Sequence, residues 1–314
     1  MRRVVSLCVV LLLGAACTPV GGAPTPSQSP STPPGAGSST AWLAAGSPEL
    51  VPVAVSSELA VGPNRFLLNL VDQHNEPLAS ADRPVTLDFY DFGGASASLR
   101  SSVDGVFLPT IPQLPGLYRA TVGFDHAGEW GVEVTATEAD GSQRSGRLVF
   151  DVREASSTPA IGADAIASAT PTADSAAGIA AISTDDDPDP DFYTTSVADA
   201  LAAHEPFLLI FSTPAFCRTA TCGPALDIVK SVAPEFKDRI TFIHVEPYQL
   251  EQADGALRPV VQDDQLVPVP AVVEWGLLTE PFIFVVGAGG KVSAKLEGVA
   301  SAEEIRGALE EVAR

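Results

Sequence analysis

The sequence predicts a multidomain chain of two folded parts of different class, an all-β module and then an α/β domain, joined by disordered linkers. Three observations carry this. Residues 48–154 hold short runs rich in Val, Leu, Phe and Thr, separated by turn residues. Residues 192–314 alternate unbroken apolar runs with helical patterns. Between and before them, residues 155–191 and 17–47 consist largely of Ala, Ser, Thr, Pro and Gly, with little to bury.

A length of 314 residues suits two domains. Lys and Arg number 18 against 39 Asp and Glu, a formal charge of −21. A chain this acidic repels phosphate backbones and anionic headgroups, so nucleic-acid binding and an electrostatic membrane grip are excluded as leading functions.

Residues 1–16 read as a processed leader. Arg2 and Arg3 precede an apolar run, residues 4–13, too short to span a bilayer. Gly14, Ala15, Ala16 and Cys17 follow. This resembles the lipobox of bacterial lipoproteins, although Gly14 stands where an aliphatic residue is preferred and Leu13 comes one place early. The resemblance implies lipidation of Cys17 and a cell-membrane anchor on the extracytoplasmic side. An ordinary secretory peptide is the alternative, and it also exports the chain to where disulfides persist. Cys8 leaves with the leader and Cys17 takes the lipid, so Cys217 and Cys222 remain. Residues 17–47 then form a stalk, reaching ~90 Å if its roughly 30 residues extend at ~3.1 Å each.

In residues 48–154, strands are expected at 50–55, 64–71, 85–90, 116–124, 130–138 and 147–152. Gly62-Pro63, Asp104-Gly105 and Asp140-Gly141 mark turns between them. Tyr118 to Val122 and Trp130 to Val134 alternate as strands with one buried face do. Six or seven short strands in this length resemble a small extracytoplasmic immunoglobulin-like sandwich, here without a cysteine pair. His74 and His126 lie in turn-like stretches with no Cys or Met nearby, so no metal site is expected there.

Residues 155–191 are expected to be a linker ending in five aspartates and two prolines within seven residues, a run that excludes regular structure. In residues 192–314 the order is a short helix capped by Ser196, an apolar strand from Phe207 to Phe211, a loop delivering Cys217, and a helix through residues 225–233. Apolar strands follow at 240–245 and 282–286, then a Gly289-Gly290 turn, another strand, and a helix opened by a capping box at Ser301 and Glu304. This order resembles the thioredoxin-like superfamily over residues 192–314, with Pro281 where that family places a cis-proline opposite its cysteines. The resemblance implies that Cys217 attacks, Cys222 resolves and Pro281 shapes a groove for substrate backbone.

The chemistry needs a thiolate. A helix N-terminus and the Arg218 cation beside Cys217 both lower a thiol pKa. The spacing departs from the family's two-residue separation, since Cys217 and Cys222 enclose four residues. Helical residues five apart have Cα atoms ~8.5 Å apart, whereas a disulfide needs about 4.4–6.8 Å. One thiol must therefore lie off the helix. The strand of residues 207–211 also lacks the buried Asp that many thioredoxins use as proton acceptor.

The function expected is an extracytoplasmic, membrane-anchored thiol–disulfide oxidoreductase. Its partners are protein thiols or disulfides, with the membrane reached through Cys17. No cofactor and no resident metal are expected. Three alternatives stay open. Thr213 to Cys217, with a cysteine five residues on, resembles peroxiredoxins, for which Arg258 would be the distant arginine. Copper handling would draw on the two cysteines and His244, although His244 falls in a buried strand. A non-catalytic binding scaffold is the third. The insertion of residues 246–276 is foreign to the thioredoxin pattern, and Trp275 within it is expected to pack in the core or under a lid.

Overall fold

Seven antiparallel strands wrap around one apolar core in the N-terminal half. They are β1 Val51–Ala54, β2 Gly62–Val71, β3 Val85–Asp91, β4 Ser98–Leu108, β5 Leu117–Phe124, β6 Gly128–Thr137 and β7 Gln143–Val152. The protein is seen in a computed structural model that describes residues 36–46, 49–94, 96–110 and 116–314. Residues 1–16 and Cys17 lie outside the described residues. Ahead of the strands, within the segment expected as a stalk, Ala36–Ala44 form a helix, α1. Trp42 of α1 packs its ring 5.2 Å from Tyr90 and 5.3 Å from Phe92, and the Arg147 guanidinium lies over the ring, 4.7 Å from its centroid.

The strand order is β1-β2-β5-β4-β3-β6-β7 in a single, nearly closed sheet. β4 makes it continuous: Ser98 to Gly105 run along β3, with a register shift that skips Arg100, and its last three residues pair with β5. Alternation places Tyr118, Ala120, Val122 and Phe124 of β5 inward, against Phe66, Phe89 and Trp130.

Helix α2 (Ala176–Ile182) and helix α3 (Val197–Ala202) precede β8 (Phe207–Phe211), which leads through the cysteine loop to α4 (Cys222–Val232). Then come β9 (Thr241–Val245), two small hairpins formed by β10 (Leu250–Ala253) with β11 (Ala256–Pro259) and β12 (Val261–Gln262) with β13 (Gln265–Leu266), and α5 (Pro270–Glu274). β14 (Phe282–Val286), β15 (Val292–Glu297) and α6 (Ala302–Val312) complete the chain. The second sheet has the order β15-β14-β8-β9, with β8 parallel to β9 and β14 antiparallel to both β8 and β15. All five residues of β8 and of β14 are buried, because apolar clusters cover both faces.

These findings correct the expected fold class. The chain is mostly β, with 37% strand and 20% helix, and its dominant feature is the nearly closed seven-stranded antiparallel sheet. It is not a two-layer sandwich followed by a separate α/β thioredoxin-like domain. The described residues to Arg314 fall in one compact unit.

The physical reason lies in the contacts that bind the parts together. Arg65 of β2 donates to the Glu304 carboxylate at 2.9 and 3.1 Å, to the Glu297 carbonyl at 2.8 Å and to the Val299 carbonyl at 2.7 Å. Arg119 of β5 reaches the same carboxylate at 3.0 Å. Leu67 and Leu108 pack with Val299 beside them.

The segment expected as a disordered linker is also built in. The Gly162 amide donates to the Val292 carbonyl at 2.8 Å, and the Ala165 amide to the Gly290 carbonyl at 2.9 Å. Ile179 of α2 enters the core. Lys230 of α4 holds Asp185 at 2.9 Å, while Lys237 holds Asp189 and Asp191 at 2.8 and 2.7 Å. Two lysines thus offset three of the five aspartates, and backbone pairing satisfies part of the segment without a large apolar content.

Candidate functional site

The register of the second sheet brings one end of β8, β9 and β14 together. Phe211, the last residue of β8, lies opposite Phe282, the first of β14, and beside Val245, the last of β9. The cysteine loop therefore leaves the sheet where the Glu280–Pro281 peptide enters it, and that peptide is cis.

Cys217 sits on the loop after β8 and Cys222 is the first residue of α4, so one thiol is off the helix. Their Cα atoms are 5.9 Å apart and the two are joined as a disulfide. Cys222 is fully buried, whereas Cys217 is half-buried. The Cys222 amide donates to Cys217 Sγ at 3.2 Å, an interaction that a Cys217 thiolate would strengthen at the start of the helix. Thr219 Oγ1 lies 3.3 Å from the same sulfur.

Sequence reasoning missed Glu280 as a site residue. Cys217 Sγ, Cys222 Sγ and a Glu280 carboxylate oxygen lie within 4.8 Å of one another. Burial holds the Glu280 carboxyl above the usual carboxylate range, against the opposing pull of a Tyr248 hydrogen bond and the Arg218 charge. Burial and the nearby Glu280 together push Tyr248 up to about 12. Glu280 thus places an ionisable acid close to both sulfurs. The signal was present in the residue preceding Pro281, but the foreign insertion that carries Tyr248 gave no indication of where it would fold.

Arg218 is exposed, and its charge acts on Glu280 and Tyr248. A 480 Å³ groove shares Tyr248 and Glu280 with the site and is otherwise walled by Pro247, Val272, Val273 and Leu278 among others. Val273 and Leu278 are 66% and 53% exposed.

Beneath the loop lies a buried polar chain. The Tyr193 hydroxyl is 2.8 Å from His244 Nδ1 and 2.9 Å from Ser183 Oγ, while His244 Nε2 is 3.0 Å from the Ser212 carbonyl. The Thr184 amide and hydroxyl donate to Glu246 at 2.7 and 2.5 Å, and the Ala215 amide donates to Thr184 Oγ1 at 3.1 Å. These bonds fix the loop that carries Cys217 onto the sheet. Burial lowers the His244 pKa, so both its ring nitrogens serve the core as a neutral imidazole. Arg258 is exposed on the β10–β11 hairpin, and Thr213 is buried with an unpartnered hydroxyl. Trp275 is buried and donates to Ser168 Oγ at 3.1 Å.

Among the described residues no helix is long and apolar enough to cross a membrane. No protein-family model matches the chain. No curated protein matches it either.

Proposed function

We propose that this chain is a thiol–disulfide oxidoreductase acting on protein thiols outside the cytoplasm, held at the membrane through Cys17. The observation that carries the reading is the Cys217–Cys222 disulfide with the Glu280 carboxyl within 4.8 Å of its sulfurs. A half-buried outer sulfur can attack, a buried inner one can resolve, and the adjacent acid can take the resolving thiol's proton. The local order of strand, cysteine loop, helix and proline resembles thioredoxin-like sites, and it supports the chemistry alone.

In the reducing direction, the Cys217 thiolate attacks a substrate disulfide and the displaced substrate sulfur leaves as a thiolate, then takes a proton. Cys222, its proton passed to the Glu280 carboxylate, attacks Cys217 Sγ and releases the second substrate sulfur. Two electrons reach the substrate and the chain ends as the Cys217–Cys222 disulfide. The oxidising direction runs through the same atoms in reverse. The exposed apolar side chains of Val273 and Leu278 give a polypeptide somewhere to lie in the groove that Glu280 shares with the site.

The test is exchange with a model disulfide protein, followed by thiol release. Turnover that disappears in Cys217→Ser supports the reading. A wild-type chain that exchanges no faster than a free dithiol sinks it.

A further inference from the structure

We propose that the reduced Cys217 and Cys222 thiolates, together with the Glu280 carboxylate, bind a zinc-type divalent cation and leave its fourth position open. The inference rests on the reading above, in that the pair must cycle between disulfide and dithiol.

Geometry is the first argument. The three donor atoms come from three separate segments: the loop after β8, the start of α4 and the residue two before β14. They already lie within 4.8 Å of one another in the oxidised state. Tetrahedral zinc, with bonds of about 2.3 Å to sulfur and about 2.0–2.2 Å to oxygen, keeps its ligand atoms about 3.5–3.8 Å apart. Breaking the S–S bond lets the sulfurs separate toward that spacing, and the carboxylate needs only a small approach.

Charge is the second argument. Ionising both reduced thiols would set two thiolates beside a partly buried carboxylate, three like charges that repel one another in a desolvated corner. Arg218 is exposed and offsets this weakly. A divalent cation removes the conflict, and two soft sulfurs with one carboxylate select zinc over calcium or magnesium. Tyr248 lines the same groove as Glu280 and acts on its carboxyl, where an outer group can orient a metal-binding carboxylate. Binding would withhold both thiolates from exchange, making the cation a brake on the reduced form.

The experiment uses the full chain carrying Cys8→Ser and Cys17→Ser, so that the pair holds its only thiols. A phosphine reductant supplies two electrons to break the disulfide and becomes the phosphine oxide, with oxygen from water. Both thiol protons pass to the buffer as metal binds. Zn²⁺ is titrated against a chromophoric chelator, and Co²⁺ serves as the spectroscopic probe. One ion per reduced chain is expected, with a thiolate-to-cobalt charge-transfer band and no such binding by the oxidised chain. Cys217→Ser or Cys222→Ser should abolish it, and Glu280→Gln should weaken it at least tenfold. Reduced protein that binds Zn²⁺ no tighter than oxidised protein overturns the proposal, as does a Glu280→Gln variant equal to its parent. Metal-free exchange on the same samples separates the two claims. Exchange without zinc binding sinks the cation site alone, whereas zinc binding without exchange upholds the site and sinks the oxidoreductase.

Discussion

Tyr248 and Glu280 line one groove beside the cysteine pair and shift each other's protonation, although they stand 32 positions apart in the sequence. Tyr248 follows β9 and Glu280 precedes β14, so this shared groove brings the insertion against the entry to the strand that β8 pairs with. The Glu280 carboxylate in turn lies within 4.8 Å of both sulfurs.

Replacing Glu280 with Gln should therefore slow exchange roughly a hundredfold, the lower end of what a positioned base supplies. Burial raises the Glu280 pKa, so the carboxylate needed to accept the Cys222 proton is lost as pH falls through that raised value. Wild-type exchange should drop on that limb while the Gln variant shows only the thiol's own titration. Stopped-flow exchange across pH checks it, and superimposable profiles would contradict the role.

The disulfide closes a loop with a sequence separation of five. Chain-entropy arithmetic for so short a loop gives roughly 2 kcal/mol of stabilisation. Denaturant unfolding with and without reductant should differ by about that amount. Equal midpoints would mean that the reduced loop is already held by the Thr184 and Glu246 bonds.

Arg65 and Glu304 form a buried ion pair, with side chains 12% and 9% exposed. Arg65→Ala leaves Glu304 with Arg119 and strips donors from the Glu297 and Val299 carbonyls. Removing one partner of such a pair costs about 3 kcal/mol. Equilibrium unfolding should show one transition in the wild type, shifted to lower denaturant in the variant. An unchanged midpoint would deny that this contact binds the two sheets into one unit.

His244 adds a pH dependence of opposite origin. Its pKa is lowered by burial, partly countered by Glu246 and the Ser212 carbonyl, so the unfolded chain binds a proton more readily. The stability it contributes is present above the unfolded value near 6.5 and is lost as pH falls below it. Wild type should thus lose stability relative to His244→Gln between pH 7.5 and 5.5, measured by chemical unfolding. A constant difference between them would show that His244 does not titrate with unfolding.

Much of the local structure was legible in the residues. β8 and β14 were visible as unbroken apolar runs, and β5 and β6 by alternation. The capping box of α6 was readable from Ser301 and Glu304 alone. β4 was not, because its sequence is polar and only Leu108 is buried. Asp104-Gly105, read as a turn, lies inside that strand, where a Cβ on Gly105 would come within 2.4 Å of Val85. Missing β4 hid the closure of the sheet. The linker misled for a related reason: its small residues signal disorder by composition, yet the backbone of Gly162, Ala163 and Ala165 pairs with Gly290 and with Val292 at the start of β15. Ion pairs between distant residues, such as Arg65 with Glu304, leave no local pattern.

The most direct test of the central claim is covalent trapping. A Cys222→Ser chain is incubated with extracytoplasmic proteins and its mixed disulfides are identified by mass spectrometry. The account predicts partners joined through Cys217 that vanish when Cys217→Ser is added. The absence of any Cys217-linked protein, under oxidising and reducing conditions alike, would contradict it.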